Sequence, residues 1–274
     1  GAVLAGLLGN EENLSIFLLL IGVGAGIYHP VGLALVSNTI RKRGRGHGIQ
    51  GVFGNIGIAA APLVAGGTAY FFDWRTAYEL LGAVAVLVCV LTLSIRVNES
   101  TVEPMAKVQK EVGASQGKRV ILFGVLALSM MLAGFVYRGF HILLPTHLVD
   151  GLFIPQGVGN ESAVLWAAIS TTAVLTLAAF GQLLGGRLAD RMSLVMGLLI
   201  FHALSFPMLL GFSYVEGYFL PFFAGWFAFF NLGMQPFENS LVARYVPAHL
   251  RSLGYGLKFI LSFGVGSLAV LYAG

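Results

Sequence analysis

The sequence predicts an all-α polytopic membrane protein built from two pseudo-symmetric helical bundles. Three observations predict it. Hydrophobic residues make up 57% of the 274 residues, charged residues only 10%, and the mean hydropathy is +0.84; a soluble domain is about half apolar and about a quarter charged. Apolar runs long enough to cross a bilayer recur along the whole chain. The chain also repeats itself: Pro30 and Arg45 are echoed by Pro236 and Arg251 at an offset of 206 residues. Leu35 and Val36 match Leu241 and Val242, Gly48 matches Gly254, His29 falls opposite Gln235, and Gly32 opposite Glu238.

About 20 apolar residues make one helical crossing. The predicted spans are 14–38, 48–72, 76–95, 120–145, 162–186, 194–213, 218–243 and 252–273, with a short apolar remnant before Asn10. The longest polar stretch, 97–118, holds Asn98, Glu99, Glu103 and Pro104 and reads as a connector between the bundles. The expected organisation is a partial N-terminal bundle over 1–96, a cytoplasmic central loop over 97–118 and a partial C-terminal bundle over 119–274. The chain starts with Gly1, and truncation at both ends is expected.

Basic residues fix the expected orientation. If the loop after residue 38 is cytoplasmic, that side carries 13 of the 16 Lys and Arg residues, among them Arg41, Lys42, Arg43, Arg45, Arg187, Arg191, Arg244 and Arg251. Such a bias is the usual determinant of membrane topology. It also accounts for the net charge of +4 without a nucleic-acid partner, since no basic and aromatic reading surface accompanies it. Cys89 is the single cysteine, which excludes a disulfide or a cysteine metal cluster within the chain. No histidine pair has metal-ligand spacing with a carboxylate on one helix, so neither a metal nor a cofactor is expected.

Two stretches carry a family resemblance. Gly48, Gly57, Ala61, Pro62, Ala65 and Gly66 follow the spacing of the antiporter motif on the fifth helix of the major facilitator superfamily, with alanine at two glycine positions. Gly186, Arg187, Leu188, Ala189, Asp190 and Arg191 resemble its cytoplasmic loop signature, without the trailing glycine and basic pair. The surroundings of His29 and Gln235 resemble bacterial carriers of the fosmidomycin-resistance type. The resemblance implies a twelve-helix alternating-access carrier, here represented from about helix three to helix eleven, monomeric, in the bacterial inner membrane.

Internal repeats facing each other across a polar path are a common carrier architecture. The resemblance to the antiporter motif implies proton-coupled efflux of a small organic molecule, which is the expected function. The nearest alternative is an importer or organic-anion carrier of the same fold. A membrane-embedded enzyme or a non-transporting receptor is remote, because the histidines noted within the spans lie at different depths.

Polar residues inside spans are the candidate substrate or proton path. His29 lies near mid-membrane, followed by Pro30, and reads as either a cavity residue or a satisfied structural histidine. Glu238 and Lys258 fall at similar depth on successive spans. They read either as a structural pair or as a proton-coupling carboxylate with its partner. Arg138 and His141 share a helix face near the outer end, where they would attract an anion, close an outer gate or snorkel to headgroups.

The glycines of the 48–72 span, at Gly48, Gly51, Gly54 and Gly57, are expected along one slowly rotating face that admits another backbone. Together with Pro62, Gly66, Gly186 and Arg191 they are the expected gating and packing positions. For Asp190 the resemblance implies contact with the N-terminal end of the Gly48 helix from the other half; the local alternative is a cap for the helix that follows it.

Overall fold

A computed structural model describes residues 1–10, 12–94, 115–151 and 160–273, and all regular structure among them is helical. The expected connector falls mostly outside the described residues. The N-terminal half holds α1 (Ala2–Leu8), α2 (Leu14–Thr39), α3 (Arg43–Phe71) and α4 (Trp74–Ser94). The C-terminal half holds α5 (Gln116–Gly151), α6 (Asn160–Ala189), α7 (Leu194–Tyr214), α8 (Leu220–Gly233), α9 (Gln235–Tyr245), α10 (Arg251–Phe259) and α11 (Leu268–Ala273). Among the described residues, α2 to α7 are long and apolar enough to cross a membrane.

Two of the eight expected spans are interrupted. The 218–243 stretch divides at Met234 into α8 and α9. Pro236, at the start of α9, has no N–H to give to the helix before it and disfavours helical geometry at the residue it follows. The 252–273 stretch is α10, then a π-helical segment at Ile260–Val265, then α11. Such a segment leaves the regular i to i−4 pattern, a deviation often found near functional sites. Pro30, by contrast, lies within an unbroken α2, so the repeat-related prolines have different local consequences.

The halves meet along α3 and α6. A Cβ built at Gly44 would lie 2.6 Å from Ala189 Cβ, at Gly48 2.9 Å from Gly186 Cα, and at Gly66 2.6 Å from Ala168 Cβ. Small residues therefore bring the two backbones together from one end of the helices to the other, as in lipid-embedded helix pairs. Gly57 departs from the expected face, because nothing lies within 4 Å of a Cβ there. Each three-residue step falls about 60° short of a full turn, so Gly57 is turned to the opposite side of α3 from Gly48.

The second contact between halves sets α2 against α9 and α10. Leu33 and Ala34 of α2 join Met130, Phe237, Leu241 and Tyr255 in one buried cluster, while Phe140, Phe212 and Phe227 centre another, mostly of the C-terminal half, that Ala59 of α3 joins. Outward faces stay apolar: Ile16, Leu19 and Val23 on α2 and Val86, Leu87 and Val90 on α4 are exposed. In water such a surface would drive association; in a bilayer it is the solvated face.

Arg251 and Arg43, the latter two residues before Arg45, the repeat partner of Arg251, meet at one end of the molecule. Arg43 Nε and Arg251 Nη1 both donate to the Ser37 carbonyl, at 2.8 and 3.2 Å, although they begin helices of different halves. We refer to this as the basic end. Asp73, Arg75 and Glu216 mark the opposite end.

Candidate functional site: a polar cavity between the halves

A cavity of about 220 Å³ lies between the halves, walled by α2, α3, α5, α6, the α8–α9 break and the junction of α10 with the π-helical segment. The break and the irregular segment both contribute lining residues, Met234 and Gln235 from one, Ser262 and Phe263 from the other. Departures from regular helix inside a membrane persist where they are buried in protein or line a cavity.

Four of the sequence-predicted residues meet here: His29, Gln235, Glu238 and Lys258. The repeat partners His29 and Gln235 thus face one space from opposite halves. His29 sets its ring 5.0 Å from Phe259. Gln235 Oε1 accepts from Gln182 Nε2 at 2.9 Å. Lys258 Nζ lies 3.1 Å from Glu238 Oε2, with side chains only 8% and 5% exposed, and also donates to Asn239 Oδ1 at 2.6 Å. Taking either charge out of water alone would be costly, and pairing is what makes the burial of both tolerable.

Arg138 and His141 do not join this group. Arg138 is exposed, and His141 Nδ1 lies 2.8 Å from the Tyr137 carbonyl on its own helix with its ring against Tyr137 at 4.0 Å. Pro62 and Gly66 line a separate, mostly apolar groove with Pro145 and Ala168.

Two polar clusters bridge the halves at the basic end. In the first, Asp190 Oδ1 accepts from the Gly44 N–H at 2.8 Å and Oδ2 from the Arg45 N–H at 2.9 Å. These donors belong to the first turn of α3, where N–H groups lack intrahelical acceptors and the helix dipole favours an anion. The helix after Asp190 is capped instead by Ser193, whose hydroxyl faces the Met196 N–H at 3.5 Å. Arg191 is exposed beside it.

The second cluster joins α2 to α10. The Ser37 hydroxyl lies 2.6 Å from the Tyr255 hydroxyl and 3.0 Å from His47 Nε2, and Tyr255 donates to the Asn239 carbonyl at 2.7 Å. Arg251 also binds Asn38 and donates to the Ala243 carbonyl.

Sequence reading did not single out His47, Gln50, Asn55, Gln182, Asn231 or Tyr255. His47 was concealed in a basic glycine-rich run that reads as loop. The signal that would have found it is periodic: His47, Gly51, Asn55 and Ile58 recur at helical spacing and all line the cavity.

Similarity to known proteins agrees with this architecture. The sequence profile described as Major Facilitator Superfamily matches residues 1–270. Two uncharacterized MFS-type transporters of Mycobacterium tuberculosis, from strains CDC 1551 / Oshkosh and ATCC 25618 / H37Rv, are each 29% identical over 220 residues, covering 79% of this chain and 30% of the relative. The chain thus spans under a third of the length of these relatives. No solved structure matches it significantly. By the extent of the profile match and the two-bundle helical architecture, the chain belongs to the Major Facilitator Superfamily.

Proposed function

We propose that this chain forms part of a secondary active transporter that exports a small organic molecule by alternating access, coupled to proton influx, with its basic end facing the cytoplasm. The observation that carries this reading is the cavity between the halves: it holds a buried Glu238–Lys258 pair, and polar contacts between the halves join them at its basic end. A carrier needs a binding space bounded by two bodies that move against each other, and an ionisable group within the membrane whose protonation biases that motion. Glu238 supplies such a group.

The bias of Lys and Arg toward one end supports the proposed sidedness. Small packing residues along α3 and α6 give the surface on which the halves would rock. The opposed repeat partners His29 and Gln235 mark the space that would open alternately.

The test is reconstitution into proteoliposomes with a pH dye inside and an imposed gradient. Addition of a transported solute should move protons in the direction opposite to the solute, and Glu238→Gln should uncouple the two. Solute and protons moving in the same direction would make the protein a symporter, and flux without proton movement would remove Glu238 from the coupling step.

A further inference from the structure

Among the described residues, the cavity wall contains charged groups yet offers no net charge. Apart from histidine and tyrosine, its ionisable lining residues are Glu238 and Lys258, and they neutralise each other at 3.1 Å. Lys258 is further held by Asn239 Oδ1 at 2.6 Å. Glu238 Oε1 is buried without a hydrogen-bond partner, but a cation drawn to it would be repelled by Lys258, and an anion drawn to Lys258 would be repelled by Glu238, so either ion weakens a pair whose separation is costly in a protein interior.

Beside the Ser262 hydroxyl and the histidines and tyrosines, much of the remaining polar wall is amide. Gln50, Asn55, Gln182, Asn231, Gln235 and Asn239 all line the cavity, and a carboxamide offers both donors and acceptors without charge. Three of their buried atoms lack a hydrogen-bond partner: the acceptors Gln50 Oε1 and Gln182 Oε1 and the donor Asn55 Nδ2. Hydrogen-bonding capacity of both senses is therefore unfilled. A further part of the wall is aromatic, with Phe259 between the His29 ring at 5.0 Å and the Phe263 ring, stacked at 5.4 Å.

On the transport reading above, we infer that the cavity takes net-neutral aromatic molecules bearing amide or hydroxyl groups and discriminates against organic cations and anions. Selectivity is a difference between affinities, and here it comes from what an ion would lose. A neutral amide gains hydrogen bonds from the carboxamide wall and a ring contact without disturbing the Glu238–Lys258 pair. A charged analogue surrenders its hydration to a wall whose two charges are already committed to each other.

Benzamide, benzamidinium and benzoate test this directly, because they share one size and ring and differ in charge. Binding of each radiolabelled compound is measured by equilibrium dialysis against the protein in nanodiscs, with empty nanodiscs as blank, at about pH 8, where an ordinary imidazole is neutral. Benzamide is expected to bind about tenfold or more tightly than either ion.

Glu238→Gln leaves Lys258 uncompensated and should move the ranking toward benzoate. Lys258→Gln should move it toward benzamidinium, each by about tenfold relative to benzamide. The double variant restores neutrality and should return the benzamide preference, which also shows that the site is folded. Either ion binding the unaltered protein as tightly as benzamide, a ranking unmoved by both single variants, or binding of none of the three would overturn the inference. Solute-linked proton movement is a separate readout: its loss with benzamide selectivity intact would remove the carrier reading and leave the charge selectivity standing.

Discussion

The Asp190 carboxylate, at the C-terminal end of α6, accepts a hydrogen bond from the Gly44 N–H at 2.8 Å, crossing from one half of the molecule to the other. Its second oxygen takes the Arg45 N–H at 2.9 Å. An anion at a helix N-terminus contributes about 0.3–1 kcal/mol, and hydrogen bonds to an ionised acceptor are stronger than neutral ones. Asp190→Asn keeps the size but turns an amide N–H toward one of two donors. Transport is expected to fall several-fold with membrane insertion unchanged, and a cysteine at exposed Ile40, at the same end, should become more reactive toward a polar maleimide. Unchanged flux and unchanged labelling would show that this contact does not govern closure.

The close approach of α3 to α6 gives a paired prediction. A Cβ at Gly48 would meet the Gln182 carbonyl and Gly186 Cα at 2.9 Å, both backbone atoms that cannot turn aside. Gly48→Ala should therefore destabilise the observed packing by about 1–3 kcal/mol, the usual scale of overpacking. Gly57→Ala meets nothing within 4 Å and should be neutral or slightly stabilising, by up to about 1 kcal/mol. Thermal unfolding in detergent compares the two; equal losses would contradict the assigned helix faces.

These two glycines also show where the sequence was readable. Composition, span positions and the Pro30/Arg45 and Pro236/Arg251 repeat determine the bundle architecture because bilayer burial leaves a strong, additive pattern. Glu238 and Lys258 stood out because charges are rare within spans. Gly57 did not follow the expected face, since a three-residue period drifts around an α-helix and only contacts reveal where the drift leads. The amide wall was hidden for a different reason: Gln50, Gln182 and Asn231 each look unremarkable on their own spans, and only the tertiary fold places them around one space. Met234 is similar, because Pro236 announces a disturbance without saying whether the helix bends, as near Pro30 it need not, or breaks.

Ser37 and Tyr255 should be energetically coupled across the halves. Tyr255→Phe removes the hydroxyl that reaches both Ser37 and the Asn239 carbonyl, leaving buried groups short of a partner at about 1–3 kcal/mol. Ser37→Ala loses the link to Tyr255 and His47 but leaves Tyr255 bonded to Asn239. The double variant is expected to be less destabilised than the sum of the two, with a coupling of about 0.5–3 kcal/mol. Additive losses in denaturant titration would show that the hydroxyls act independently.

Sidedness is open to labelling. Arg45 and Ser252 are exposed near the starts of α3 and α10, while Asp73 is exposed between α3 and α4 at the other end. In oriented membrane vesicles, cysteines at Arg45 and Ser252 should react from the same side and a cysteine at Asp73 from the opposite side. Reaction of the Arg45 and Ser252 positions from different sides would dissolve the two-bundle arrangement.

The Glu238–Lys258 pair can be separated from a proton-carrying role by exchanging its charges. Removing one partner of a buried pair costs about 3–5 kcal/mol because the other is left uncompensated, so Glu238→Gln and Lys258→Gln should each lower the unfolding temperature clearly. In the exchanged variant, Glu238→Lys with Lys258→Glu, the two charges can still meet between α9 and α10, and most of that loss should be recovered. Proton coupling depends on more than the presence of a pair: the carboxylate must stand where the cavity and the moving helices present it to water on alternate sides. Recovered stability with solute-linked proton movement abolished is therefore the expected result. Recovered stability with coupling intact would make the pair a structural clamp and send the search for the proton site to His29 and His47, the imidazoles that line the same cavity.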